Sequence, residues 1–284
     1  MSNKQSTVAF LGPYGTFSQA AAINHFGNEC KLHPCATIDD VFTAVAERVA
    51  DFGVVPVENS TEGPVNNTQD CFVDSVVQIV GEEIVPIEHN LLMPPGSEDM
   101  AIRVIASHKQ SLAQCRDWIH ANYPKAQLLE CTSNADAASR VSAAGGVAAI
   151  AGEVAAETYG LHILAGNIQD QEDNRTRFLV LHRSVVAASG ADKTSILVYA
   201  ENKPGALFRV LEPFERLQIS LTKIDSRPSK KEAWAYVFFI DFEGHVEDEN
   251  IKQLLYSLEG CTKEVKVLGS YPAFTELASQ EEGL

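Results

Sequence analysis

Asn174-Arg175-Thr176-Arg177-Phe178 runs directly into the apolar stretch Leu179-Val180-Leu181. Polar and charged residues at the mouth of an apolar strand are where an α/β domain delivers side chains to a cleft. A threonine between two arginines in that position suits an anion, with a hydroxyl beside it to donate a hydrogen bond. Four other polar loops share the placement, each after a short apolar run: Gly15-Thr16, Glu58-Asn59-Ser60, Ser107-His108 and Ser133-Asn134. Most begin a helical pattern, so their backbone N–H groups are available to an anion. Helix caps use the same residue types, and one such loop decides nothing. Four of them, together with Thr176, point to a site.

The elements that must position these residues alternate. Up to residue 185, short β-type runs are followed by helical stretches, which predicts α/β architecture with mostly parallel sheets and ligands beyond the C-terminal strand ends. Thr37 and Asp40 have capping-box spacing before the helical stripe Val41, Phe42, Val45 and Val49. One helix is expected from Ser107-His108-Lys109-Gln110 through His120, with Ser107 and Gln114 on one face. The strand after Asn174-Arg175-Thr176-Arg177 is expected from Phe178 to Leu181. Residues 186–193 read as a linker. Beyond it the order is βαββαβ, that of a ferredoxin-like sandwich. In this part Pro213 should disturb its helix, Asp225-Ser226-Arg227-Pro228 should end a strand, and Trp234, Tyr236, Phe238, Ile240 and Phe242 should alternate along another. The expected domains are 1–185, with two lobes around a cleft, and 194–284.

The 284 residues carry a net charge of −16, with 45% hydrophobic and 21% charged residues. That balance argues against nucleic acid or an anionic membrane as a partner. An anionic ligand would need local positive groups such as arginines or helix N-termini. The opening MSNKQSTVAFLG has no basic segment followed by an apolar core, and no apolar run reaches membrane-spanning length. A cytoplasmic protein is expected. The six cysteines lack a C-x-x-C pair and read as reduced thiols. His89 and His108 stand alone, without the spacing of metal ligands. No metal and no cofactor is expected.

Several segments in order resemble the monofunctional prephenate dehydratases with a C-terminal ACT regulatory domain. They are GPYGTFS at 12–18, VPVENSTEGPVNNTQD at 55–70, SHKQSLAQC at 107–115, AAIAGEVAAETYGL at 148–161 and NRTRF at 174–178. The last part adds ENKPGAL at 201–207 and DSRP at 225–228. The family usually has His-Pro-Gln where this chain has His108-Lys109-Gln110, and Glu-Ser-Arg-Pro where it has Asp225-Ser226-Arg227-Pro228. The resemblance implies a catalytic domain similar to type II periplasmic binding proteins, with prephenate as substrate and phenylpyruvate as product. It also implies L-phenylalanine as effector and a homodimer or dimer of dimers. Arogenate dehydration and non-catalytic capture of a small anion are the rival readings.

The resemblance makes Thr176 the hydroxyl that donates to the departing oxygen; without it, Thr176 reads as a strand-start residue. Arg177 has two readings, a substrate-carboxylate holder or an ion-pair partner of an acid such as Glu58. Glu58 itself reads as a general acid or as a structural carboxylate. Thr16, Asn59, Ser60, Ser107, Gln114 and Phe178 are the implied substrate-binding residues, and Arg175 is expected in solvent. For the effector, Gly205, Ala206 and Leu207 would offer helix N–H groups to a carboxylate. Asn202 and Asp225 would take the ammonium, within a site completed by Ser226, Arg227 and Pro228.

Overall fold

The computed structural model describes residues 5–97, 100–141, 146–171, 173–201, 203–229 and 236–275. The chain begins with β1 (Thr7–Leu11), α1 (Phe17–Phe26), β2 (Lys31–Cys35), α2 (Ile38–Ala46), β3 (Phe52–Asn59), β4 (Gly63–Pro64), α3 (Asn66–Asp74) and β5 (Gln78–Pro86). It continues with β6 (Asn90–Met93), β7 (Val104–His108), α4 (Lys109–Gln114), α5 (Arg116–Asn122), β8 (Gln127–Cys131), α6 (Asn134–Val141), β9 (Val147–Ala151), α7 (Glu153–Tyr159), β10 (His162–Ala165) and β11 (Arg175–His182). The last elements are β12 (Asp192–Tyr199), α8 (Ala206–Arg216), β13 (Leu221–Pro228), β14 (Tyr236–Glu243), α9 (Glu249–Glu259) and β15 (Glu264–Pro272). No helix among the described residues is long and apolar enough to cross a membrane.

Two compact units form: Met1–Thr68 with Glu83–Phe178, and Gln69–Glu82 with Leu179–Leu284. The first unit holds two sheets. One runs β2-β1-β3-β11-β5, with β4 paired to β3; the other runs β10-β6-β9-β7-β8. β1 lies parallel to β2 and β3, and β7 lies parallel to β8 and β9. β6 runs antiparallel to β9 and β10.

Local chemistry explains the helices that frame these sheets. Thr37 and Asp40 do form the capping box that starts α2, at 3.1 Å in both directions. Val8, Phe10, Ala21, Ala22, Val54 and Phe178 bury the first sheet against its helices. In the second sheet, alanines at 137, 138, 149, 151 and 155 let α6 and α7 approach closely. The expected helix through His120 is instead α4 and α5, broken at Cys115.

The second unit has the expected βαββαβ order, with antiparallel strands in the order β13-β14-β12-β15. α8 and α9 bury Val210, Phe214, Ile251, Leu254 and Leu258 against this sheet. Pro213 does not break α8. It removes the N–H that would bond the Arg209 carbonyl, and the Cys261 thiol stands 3.4 Å from that carbonyl and 3.5 Å from the Leu258 carbonyl, able to donate to either. Asp225-Ser226-Arg227-Pro228 forms the last four residues of β13, so the strand runs beyond Ile224 and ends at Pro228. Trp234 lies outside the described residues.

Residues 69–82 pack with the C-terminal sheet because their charges and carbonyls are met there. Lys266 Nζ donates to the carbonyls of Phe72, Val73 and Ser75 at 2.8, 3.2 and 2.6 Å, at the C-terminal end of α3. The Glu82 carboxylate, fully buried, accepts from Lys193 Nζ at 2.7 Å and from the Phe274 N–H at 2.8 Å.

Candidate active site

β11 begins at Arg175, three residues before the expected strand start, so Thr176 and Arg177 are strand residues. Side chains alternate along a strand, and the two therefore face opposite sides. Thr176 and Phe178 line a cavity of about 630 Å³ in the first unit. Arg177 is half-buried on β11 and is not among the lining residues, and Arg175 is exposed. Residues of both sheets close the cavity: Thr16, Asn59 and Thr176 on one side, His108, Ser111, Gln114 and Asn134 on the other.

A directed hydrogen-bond network runs along this wall. Asn59 Oδ1 accepts from the N–H groups of Thr61 and Glu62 at 3.0 and 2.9 Å. These backbone donors fix the orientation of the amide. Asn59 Nδ2 therefore donates, to Asn174 Oδ1 at 2.8 Å, Thr176 Oγ1 at 2.9 Å and the Arg175 carbonyl at 3.3 Å. Thr176 Oγ1 thus accepts from Asn59, and no acceptor among the described residues takes up its own hydrogen. Asn174 Nδ2 donates to Gln114 Oε1 at 3.3 Å, and Gln114 Nε2 donates to Glu62 Oε1 at 3.3 Å.

The other expected residues occupy different places. Ser60 accepts from the Arg175 N–H at 2.9 Å and donates to the Asp173 carbonyl at 3.2 Å, which pins the start of β11. Glu58 is half-buried on β3, in register with Pro64, and is not among the lining residues. Ser107 lies on β7, not on a helix with Gln114. It is fully buried, 2.6 Å from its acceptor, the Ile150 carbonyl, and 3.0 Å from Asn134 Oδ1. Asn134 Oδ1 also accepts from Ser111 Oγ at 2.9 Å and the His108 N–H at 3.2 Å. Ser107 and Asn134 thus tie together the starts of α4 and α6.

No lysine or arginine is among the lining residues. Positive potential comes from helix ends. Thr16 caps α1 by accepting from the Gln19 N–H at 3.3 Å, and Ser133 accepts from the Asp136 N–H at 2.9 Å at the start of α6. The N–H groups of Phe17, Ser18 and Ala135 precede any intrahelical partner, and all three residues line the cavity. Cys115, close to Gln114, is no nucleophile: burial pushes its thiol up to about 12.

Asn174, which opens the Asn174–Phe178 stretch, also lines the cavity, as do His89 and Glu62, to which the sequence assigns no site role. His89 is 1% exposed and its Nε2 stands 2.7 Å from Gln114 Oε1. Burial lowers its pKa below the usual histidine value, and the Gln114 contact opposes this only in part. A depressed folded-state pKa means that the unfolded chain takes up this proton first. Stability linked to His89 is therefore complete above about pH 6.5 and is lost as pH falls further. Urea unfolding between pH 7.5 and pH 5 should show a shallower acid decline for His89→Gln than for the wild type. Equal declines would contradict the assignment.

In the second unit, Gly205 caps α8 with φ of 78°, a left-handed conformation that suits glycine. Ala206 opens the helix and Leu207 is exposed. Asp225 accepts from Gln69 Nε2 at 2.8 Å and pairs with Lys223 Nζ at 3.0 Å; Arg227 pairs with Asp70 at 2.9 Å. Ser226 and Pro228 pair with Phe238 and Tyr236 of β14. Asn202 lies outside the described residues.

The chain matches the prephenate dehydratase family over residues 8–185 and the ACT domain over residues 194–260. It is 49% identical to the bifunctional chorismate mutase/prephenate dehydratase of Aquifex aeolicus, across 95% of this chain and 74% of that protein. It is 39% identical to the prephenate dehydratase of Amycolatopsis methanolica, across 94% of this chain and 88% of that one. The crystal structure of prephenate dehydratase from Arthrobacter aurescens in complex with L-Phe aligns with a TM-score of 0.86 at 34% identity, covering 94% of this chain and 90% of that one. The chain belongs to the prephenate dehydratase family.

Proposed function

We propose that the protein converts prephenate to phenylpyruvate, carbon dioxide and water, as a carbon–oxygen lyase acting in the cytoplasm on the route to L-phenylalanine. The observation that carries this reading is the Thr176 hydroxyl, held on the cavity wall as an acceptor for Asn59 with its hydrogen left for a ligand. Two helix N-termini open into the same cavity and suit the two carboxylates of prephenate. In the reaction the bond from the ring to its carboxylate breaks, and its electron pair enters the ring. The C–O bond opposite breaks with it, and the oxygen leaves as hydroxide, which takes a proton from solvent to become water. Aromatisation supplies the driving force. The protein's work is alignment and a hydrogen bond to the leaving oxygen, which strengthens as that oxygen gains charge. Thr176 makes that bond, Asn59 orients Thr176, and Phe178 gives the ring an apolar wall. The reaction needs no cofactor.

L-phenylalanine is the proposed effector, binding at the ACT unit near Gly205, Ala206, Leu207 and β13. The support is the L-Phe complex of the similar dehydratase from Arthrobacter aurescens. The exposed apolar residues Leu207, Phe208, Ile224 and Tyr236 on this unit favour a homodimer or a dimer of dimers. The second reading is arogenate dehydration, favoured by the Glu62 carboxylate on the cavity wall, which suits an ammonium group. Phenylpyruvate formation from prephenate should proceed at about 1–1000 s⁻¹ and fall when L-phenylalanine is added. No turnover of prephenate, or faster turnover of arogenate in a side-by-side assay, would reject the leading reading. Unchanged rates with L-phenylalanine would reject the effector.

A further inference from the structure

We infer that His89 is a positioning residue: a neutral imidazole, protonated on Nε2, that together with Glu62 holds the Gln114 amide in the orientation that accepts from Asn174. This deepens the dehydratase reading of the cavity and rests on it.

The direction follows from donors and acceptors that cannot be exchanged. A carboxylate only accepts, so Glu62 at 3.3 Å requires the nitrogen of the Gln114 amide on its side. Gln114 Oε1 then faces both His89 Nε2, at 2.7 Å, and Asn174 Nδ2, at 3.3 Å. An oxygen there requires a proton on His89 Nε2. His89 Nδ1 is buried and has no hydrogen-bond partner among the described residues. It holds a lone pair; a proton on it would be an unpaired buried donor. The tautomer is thus fixed from both ends of the ring.

The backbone of His89 is held as well. Its N–H donates to Gln169 Oε1 at 2.9 Å, and its carbonyl accepts from the Ile168 N–H at 2.8 Å. Phe17 packs edge-on against the ring with centroids 6.0 Å apart. The relay then runs one way. His89 donates to Gln114, Asn174 donates to Gln114 with its nitrogen and accepts from Asn59 with its oxygen, and Asn59 donates to Thr176. Turning the Gln114 amide over would turn Asn174 over and set two amide nitrogens, of Asn59 and Asn174, against each other. Asn59 cannot turn to relieve that clash, because the Thr61 and Glu62 N–H groups hold its oxygen, so Asn174 would be pushed off the residue that holds the Thr176 hydroxyl. His89 touches no reacting atom; it acts through Gln114.

The test uses the full chain, labelled with ¹⁵N in its histidine rings, together with His89→Gln and His89→Leu. The His89 signals are those missing from the His89→Gln spectrum. The expected wild-type spectrum shows Nε2 protonated and Nδ1 bare from pH 7 to pH 8. With prephenate, His89→Leu should lower kcat about 30-fold with KM within about threefold. His89→Gln keeps a donor at the Nε2 position and should recover kcat to within about fivefold of the wild type. A proton on Nδ1, full kcat in His89→Leu, or equal losses in the two variants would each overturn the inference. Absence of wild-type turnover would reject the dehydratase reading instead, and the ring spectrum would still decide the tautomer.

Discussion

Thr176→Val should lower kcat for prephenate by about 1000-fold while KM changes little, because it removes a hydrogen bond that matters most as the leaving oxygen gains charge. Valine matches threonine in shape, so the strand and cavity wall keep their form. The orphaned donor is also provided for: Asn59 Nδ2 retains Asn174 Oδ1 at 2.8 Å and the Arg175 carbonyl at 3.3 Å as acceptors. The unfolding midpoint should accordingly stay close to the wild-type value. Thr176→Ser restores the hydroxyl without the methyl group that fixes its rotamer, and should remain within about tenfold of the wild type. Steady-state kinetics of the three proteins decide the matter. A valine variant within threefold of the wild type would remove Thr176 from the chemistry.

The role of Arg177 illustrates what the sequence shows and what it hides. Its neighbours Thr176 and Phe178 share a strand face, so a strand that begins at Arg175 necessarily turns Arg177 away from them. Reading the strand from Phe178 concealed that parity. The capping box of α2 and the βαββαβ order of the second unit were legible because their signals are local. β2 and β5 were not. β2 carries a proline and sits at a sheet edge, and β5 contains Gly81, Glu82 and Glu83. Glu82 is compatible with a buried strand only because Lys193, 111 residues later, meets it.

The network around Thr176 is the same case at the site. Asn59 and Thr176 are 117 residues apart, and His89 and Gln114 are 25 apart. No local pattern joins them. A weaker signal did exist for His89. Val85, Ile87, His89 and Leu91 are all buried at alternate positions, so a histidine occupies the apolar phase of an extended run. A titratable side chain in that phase needs a buried partner, and Gln114 is that partner.

Gly269→Ala should destabilise the protein by about 3 kcal/mol, at the upper end of what overpacking usually costs. Gly269 lies on β15 opposite Ser195, beside a register shift in the pairing with β12. A methyl group there would stand 2.8 Å from the Ile79 nitrogen, 2.9 Å from its carbonyl carbon and closer still to its oxygen. These are backbone atoms, so no side-chain rotation relieves the clash. Nor can the segment withdraw freely. Glu82 is fixed by Lys193 and the Phe274 N–H, and the end of α3 is fixed by Lys266. Relief therefore means breaking charge-assisted bonds within this unit, and that is why the cost should exceed that of an ordinary crowded core. Gly260→Ala is the control. Its methyl group would meet only the Ser257 and Tyr256 carbonyl oxygens, at 3.5 and 3.9 Å, in right-handed helical backbone. That change should lie within about 0.5 kcal/mol of neutral. Urea unfolding of both variants measures the difference, and a Gly269→Ala midpoint equal to that of Gly260→Ala would show that β15 and residues 69–82 do not pack this closely.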